Sequence, residues 1–130
     1  MRAHTSHVRV RYAETDKMGV AYYANYFVWF EVARCDLLRS AGHTYRDLET
    51  HGFMLPVIEA GCEYRDSARY DDELDITTTG NLLSPVRVEF LYEVSRPDGT
   101  SLATGRTVHA AVGTAGRPRR LPANVRAALA

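Results

Sequence analysis

The sequence predicts an α+β domain in which an antiparallel five-stranded sheet wraps around one long central helix. Three observations carry this. Between Val20 and Ala41 lies the most apolar stretch of the chain, too long and too continuous for a strand. From Val57 onward the pattern changes to period two, in short runs separated by turn signals. Strands joined in series by short turns pair antiparallel, and a helix with no other neighbour must find its cover in their sheet.

The elements follow in order. Val8, Val10 and Tyr12 alternate with His7, Arg9 and Arg11, which predicts a half-buried first strand. The start before it, with His4 and His7, is expected to be mobile and without a metal site; it shows no apolar run, hence no signal peptide. Ala13 to Gly19 is polar and ends on glycine, a loop. In the helix that follows, Ala24, Tyr26, Phe27, Val28, Trp29, Phe30, Val32 and Ala33 leave little polar face, so burial nearly all round is expected. Polarity rises at Asp36, Arg39 and Ser40, and Gly42 is placed as a C-terminal cap. About 17 helical residues would span roughly 25 Å, enough to cross a small sheet. A short second helix is predicted from Thr44, with Asp47 three residues on as a partial capping box, ending at Gly52.

Strands are predicted around Val57–Tyr64, from Glu73, and over Val86–Val94, where the alternation is clearest. Arg96-Pro97-Asp98-Gly99 is a turn, and Leu102–Val112 the return strand. Ala103, Gly105, Ala110 and Ala111 are small enough for close contact with a helix. The tail from Arg117 is expected to end in a short helix after Pro122. Five strands cannot enclose a helix that is apolar on every side, so the uncovered face should meet a second copy, which predicts at least a homodimer.

Composition narrows the function classes. A length of 130 residues fits one domain, 1–130, able to bury a core without disulfides. A formal net charge of zero argues against non-specific binding of nucleic acid or membrane surface. Cys35 and Cys62 lack metal or dithiol spacing and are expected to be small buried apolar residues. No stretch approaches the ~18 apolar residues of a membrane span, and the expected location is cytoplasmic.

Residues 12 to 26 carry the chemistry. Tyr12-Ala13-Glu14-Thr15-Asp16-Lys17-Met18-Gly19-Val20-Ala21-Tyr22-Tyr23-Ala24-Asn25-Tyr26 resembles the signature of the 4-hydroxybenzoyl-CoA thioesterase family of hotdog proteins: Thr or Cys, Asp, two residues, Gly, an apolar pair, an aromatic pair, then Asn-Tyr. Phe30-Glu31-Val32-Ala33-Arg34, Leu55 to Ala60 and Tyr70-Asp71-Asp72 extend the resemblance over nearly the whole chain. It implies a hotdog fold, dimers paired into homotetramers, and hydrolysis of acyl-CoA or acyl-carrier-protein thioesters, with no metal and no bound cofactor. It implies Asp16 as the catalytic carboxylate and the backbone N–H of Tyr23 as oxyanion donor. Many close members have histidine at the Tyr23 position, so this chain must do without any help that histidine gives.

Physical chemistry points the same way. A thioester carbonyl under attack becomes an oxyanion and needs donors aimed at the developing charge. The first N–H groups of a helix lack internal partners and sit at its positive end. A helix starting near Tyr22 to Asn25 therefore supplies such a site. Gly19 lets the loop turn tightly towards a ligand. Asp16 could attack the carbonyl, forming a mixed anhydride, or act as base on a water. It could instead be an N-cap, but it lies several residues before the apolar run.

Gly19, Tyr22, Asn25 and Tyr26 are the candidate substrate-binding residues. For Asn25 the alternatives are capping or orienting a neighbour, and for Tyr26 core packing. Glu31 and Arg34 are expected to form an intrahelical or interface ion pair, the alternative being a second active-site carboxylate. Arg65, Arg69, Arg87 and the Arg117, Arg119, Arg120 cluster are candidates for the CoA phosphates. The rival readings are a hotdog hydratase, disfavoured because no His lies between Asp16 and His43, and a non-catalytic acyl-CoA binding module.

Overall fold

The computed structural model describes residues 2–130; Met1, part of the expected mobile start, lies outside them. Strand β1 (Arg2–Arg9) is followed by a single 3-10 turn (Tyr12–Glu14) and helices α1 (Asn25–Ser40) and α2 (Tyr45–Thr50). Strands β2 (Val57–Tyr64), β3 (Glu73–Ser84), β4 (Arg87–Ser95) and β5 (Ser101–Ala110) precede a last helix, α3 (Ala123–Leu129). The strands form one five-stranded antiparallel sheet in the order β1-β3-β4-β5-β2, packed on α1. This is the hotdog arrangement that the sequence predicts.

The start of the chain corrects the expectation. Arg2 to Arg9 pair with Gly80 to Glu73 along β3, so His4 and His7 belong to a strand. The strand also ends earlier than predicted, and Tyr12 stands 75% exposed on the 3-10 turn. Three inward positions of β1, Arg2, His4 and Ser6, are polar, which hid the first part of its period. Ser6 is buried, and its hydroxyl donates to Asp36 Oδ2 of α1 (2.8 Å).

Helix α1 has one buried side, formed by Tyr26, Trp29, Phe30, Ala33, Leu37 and Leu38. Burial on all sides is not met in the single chain: Val28 and Val32 are 48% and 41% exposed, because the sheet covers only one face. Phe30 stacks on Tyr92 of β4, with ring centroids 4.2 Å apart and planes 11° from parallel. Its ring lies over Gly105, where a Cβ would come within 2.3 Å of it. The small residue expected to admit the helix thus sits under its largest fully buried side chain.

Helix α2 begins as its sequence requires, with the Thr44 hydroxyl accepting from the Asp47 N–H (3.1 Å). Strand β2 falls where the sequence places it. It lies at the sheet edge, and every residue in it except half-buried Cys62 is exposed. Cys35 is likewise half-buried, so neither thiol is the core residue expected. The return strand stops at Ala110, short of Val112, which bridges Met54 and Pro118 instead. Arg34 donates from Nε to the Tyr45 hydroxyl (3.2 Å), and no ion pair with Glu31 forms among the described residues.

A buried polar chain ties the sheet interior to the segment before β2. His109, fully buried, donates from Nδ1 to the Leu55 carbonyl (2.9 Å) and through Nε2 meets the Thr107 hydroxyl (2.9 Å), which bonds Tyr92 (2.6 Å). Burial pushes the imidazole pKa from 6.5 down to about 4. Between those values the unfolded chain binds the proton and the folded chain does not. Stability is therefore fully present above the unfolded value and falls as pH drops, by about 2 kcal/mol between pH 7 and pH 5. Denaturant midpoints at the two pH values check this; His109→Gln should flatten the difference.

Candidate active site

The Asp16 loop is a tight hairpin. Thr15 bridges Ala21, the Asp16 N–H donates to Val20 (3.0 Å), and Gly19 closes the turn onto the Asp16 carbonyl (3.0 Å). Gly19 has φ +77°, the left-handed region that a side chain would strain. Asp16 is half-buried. Its Oδ1 accepts the Met18 N–H (2.9 Å), while Oδ2 has no hydrogen bond among the described residues. The carboxylate is thus held by one oxygen and open at the other.

The hairpin runs directly into α1. The Tyr22 N–H donates to the Glu14 carbonyl (2.8 Å), two rungs along the hairpin from Asp16. The Tyr22, Tyr23 and Ala24 carbonyls accept from Asn25, Tyr26 and Phe27 (2.9, 3.3 and 3.2 Å), so the chain is wound before the helix proper begins. Because N–H and C=O point in opposite directions across a peptide, the N–H groups of Tyr23 and Ala24 are turned away from the helix. Neither donates to any acceptor among the described residues. The Tyr64 hydroxyl of β2 donates to the Tyr23 carbonyl (2.9 Å) and holds this turn from the far side.

The other candidates divide. Tyr22 and Tyr23 are 46% and 59% exposed with ring centroids 4.7 Å apart, and Tyr64, 45% exposed, stands edge-on to Tyr23. Tyr26 lies in the core, 2% exposed, rather than on a pocket wall. Asn25 donates its side-chain amide to the Glu14 carbonyl (2.8 Å), so it orients a neighbour. The loop 66–72 is stitched to the hairpin through Val20–Arg69 and Ala21–Ala68, which brings Arg69 to the Asp16 loop. The tail does fold back, but Arg119 lies over the Phe53 ring (4.1 Å) and bonds the carbonyls ending α2.

Glu14 escaped the sequence reading. It is 5% exposed, and its carbonyl accepts both Tyr22 and Asn25. The one available signal was the single tryptophan, whose buried indole N–H must find an acceptor.

Comparison with known proteins agrees with this fold. Residues 10–129 match the thioesterase-like superfamily, and the chain belongs to that family. It is 30% identical to the acyl-CoA thioester hydrolase YbgC of Escherichia coli O6:H1 over 119 residues, covering 91% of this chain and 89% of the relative. The YbgC acyl-CoA thioesterase of Haemophilus influenzae is 32% identical, with 93% and 90% covered. Among solved structures, the DHNA-CoA thioesterase of Staphylococcus aureus superposes with a TM-score of 0.88 at 35% identity, covering 93% of this chain and 82% of that one. A hypothetical protein of Thermus thermophilus, TT1821, superposes with a TM-score of 0.91 at 38% identity, covering 96% and 95%. No helix among the described residues is long and apolar enough to cross a membrane.

Proposed function

We propose that this protein hydrolyses an acyl-CoA thioester between the Asp16 loop and the start of α1, and that it does so as at least a homodimer. The observation that carries this is the pair of unbonded main-chain N–H groups at Tyr23 and Ala24, two to three residues past the rung that closes the Asp16 hairpin. The relatives named as acyl-CoA thioesterases support the substrate class.

In this reading the thioester oxygen sits against the Tyr23 N–H, with the Ala24 N–H beside it. Attack at the carbonyl carbon puts charge on that oxygen, where fixed donors at the positive end of a helix stabilise it. In one route Asp16 Oδ2 bonds to the carbonyl carbon, the C–S bond breaks, and the CoA thiolate leaves and takes a proton from solvent. Water then cleaves the mixed anhydride to free acid and restored carboxylate. In the other route water attacks, its proton passes to Asp16, and Asp16 returns that proton to the departing thiolate. Gly19 brings the carboxylate close, while Tyr22 and Tyr23 flank the acyl group. Tyr26 acts from the core behind them, and Asn25 fixes the turn. Arg69 is the proposed partner for CoA phosphates. No cofactor is needed beyond the CoA that the substrate itself carries.

A second copy supplies the missing wall. The unpaired edge of β2 exposes Val57, Ile58 and Tyr64, and α1 exposes Val28 and Val32. An edge strand with apolar residues invites pairing with another copy. Such dimers pairing into a homotetramer complete the proposal. The half-buried free thiols fit a reducing compartment, so the proposed location is the cytoplasm.

Incubation with a panel of aliphatic and aromatic acyl-CoAs and one acyl carrier protein, read by a thiol reagent, tests the activity. Thiol release from at least one acyl-CoA is expected; release from none would remove the hydrolase reading and leave a binding module. For the assembly, Ile58→Lys is expected to lower the mass by sedimentation to that of a monomer and to lower thiol release about tenfold. An unchanged mass would rule out pairing through β2.

A further inference from the structure

Glu14 joins the two halves of the proposed site through both its main chain and its side chain. Its carbonyl accepts the Tyr22 N–H (2.8 Å) and the Asn25 amide (2.8 Å), the residues on either side of the Tyr23–Ala24 pair. Its carboxylate reaches one turn further along α1: Oε2 accepts the Trp29 indole N–H (2.9 Å). Oε1 accepts the Arg11 N–H (2.8 Å), with the Arg11 guanidinium 3.5 Å away. Glu14 and Trp29 are 5% and 2% exposed.

A buried carboxylate is tolerated when hydrogen bonds satisfy it, and such bonds are shorter and stronger than neutral ones. The two N–H groups that the Glu14 carboxylate accepts belong to different parts of the chain, the residue capping the 3-10 turn and the body of α1. Trp29 is locked in turn by its ring contact with Tyr26 at 4.8 Å. Two free N–H groups act on a developing oxyanion only if their directions are fixed before the charge appears. We infer that Glu14 is the positioning residue of the oxyanion site: its carboxylate clamps α1 through Trp29 while its carbonyl clamps the turn that presents the Tyr23 and Ala24 N–H groups. The inference rests on the reading of those groups as oxyanion donors. Glu14 itself touches no reacting atom.

The charge is what makes the clamp two-sided. In Glu14→Gln the side chain keeps one acceptor and gains an NH2 group, which must face either the Trp29 or the Arg11 N–H, donor against donor. One bond is lost, yet size and shape are kept. In Trp29→Phe the carboxylate keeps Arg11 and loses only the helix.

The test reads the carbonyl directly. An acyl-CoA that the wild-type protein hydrolyses, labelled with 13C at the carbonyl, is bound to Asp16→Asn protein, and its C=O stretch is measured by difference infrared spectroscopy. Donors pointing at the oxygen lower this frequency relative to free acyl-CoA. Adding Glu14→Gln or Trp29→Phe should return it most of the way to the free value while leaving acyl-CoA affinity within about twofold. In the Asp16 background each variant should lower kcat about 10- to 100-fold with KM little changed. Full kcat, or lowered kcat with an unchanged carbonyl frequency, overturns the inference. If Glu14→Gln does not fold, Trp29→Phe decides alone by the same criteria. Absence of any shift in Asp16→Asn itself contradicts the oxyanion reading, and with it this inference; a shift that survives both added variants removes the inference alone.

Discussion

Replacing Asp16 by Asn is expected to lower kcat about 10³-fold while acyl-CoA affinity changes by no more than about twofold. The expectation follows from how the side chain is held. Its Oδ1 accepts the Met18 N–H, and the Asn side-chain oxygen can accept the same bond, so the hairpin closed by Gly19 persists. What disappears is the second, unbonded oxygen with its negative charge, which either route needs as nucleophile or proton acceptor. Asp16→Ala removes the Met18 bond as well and should loosen the loop, so it is the less clean comparison. Thiol release gives kcat, and titration of acyl-CoA into the inactive variant gives affinity. Activity within a few-fold of wild type would exclude Asp16 from the chemistry. Weakened binding with unchanged kcat would make it a binding group instead.

The largest effect on stability is expected at Phe30. Its ring is fully buried, stacked on Tyr92 and close against the bare backbone of Gly105, the cross-strand partner of Tyr92. Phe30→Ala should cost about 4 kcal/mol, through lost transfer energy and the cavity left behind. For a chain of this size that lowers Tm by roughly 12–20 °C. Gly105→Ala attacks the same contact from the sheet. Its new methyl would lie 2.3 Å from the ring, which is buried and stacked on Tyr92 and must shift to admit it, so a loss of about 2–3 kcal/mol is expected. The two costs share one cause and should not add: with Phe30 gone, the methyl at 105 enters the vacated space. A double-mutant cycle by chemical denaturation should show coupling of about 1–3 kcal/mol, and strict additivity would mean that Gly105 is not there to admit the helix.

Much of this architecture was legible because it depends on local rules. The cap at Thr44, the turn at 96–99, the alternation of β4 and the small residues of β5 each announce a local conformation, and the structure adopts each one. Strand β1 was only partly legible, because its inward Ser6 is satisfied by Asp36 thirty residues away. Polarity at an inward position looks like solvent exposure until its partner is known. For strand β2 the alternation located the strand but not its exposure: it says which residues share a face, not whether anything covers that face. Arg34 was assigned to Glu31 on spacing alone, yet it bonds Tyr45, which only the packing of α2 brings near. At the candidate site, the family resemblance implied Asp16 and Tyr23, and the loop pattern pointed to Gly19. Glu14 stayed hidden because its bonds run to residues 3 to 15 positions away on a turn and a helix whose approach no local pattern encodes.

The proposed oxyanion donors belong to the main chain, and this separates what substitution can alter. Every residue except proline carries the same N–H, so the side chain at position 23 can change in size, polarity or charge without deleting the group that would meet the oxyanion. The exposed Tyr23 ring is therefore free to vary with the acyl group presented to it, while the donor it hangs from is inherited unchanged. On that proposal, point substitutions at this position would shift substrate preference in small steps, each passing through a working enzyme, and proline is the one replacement that would close the route.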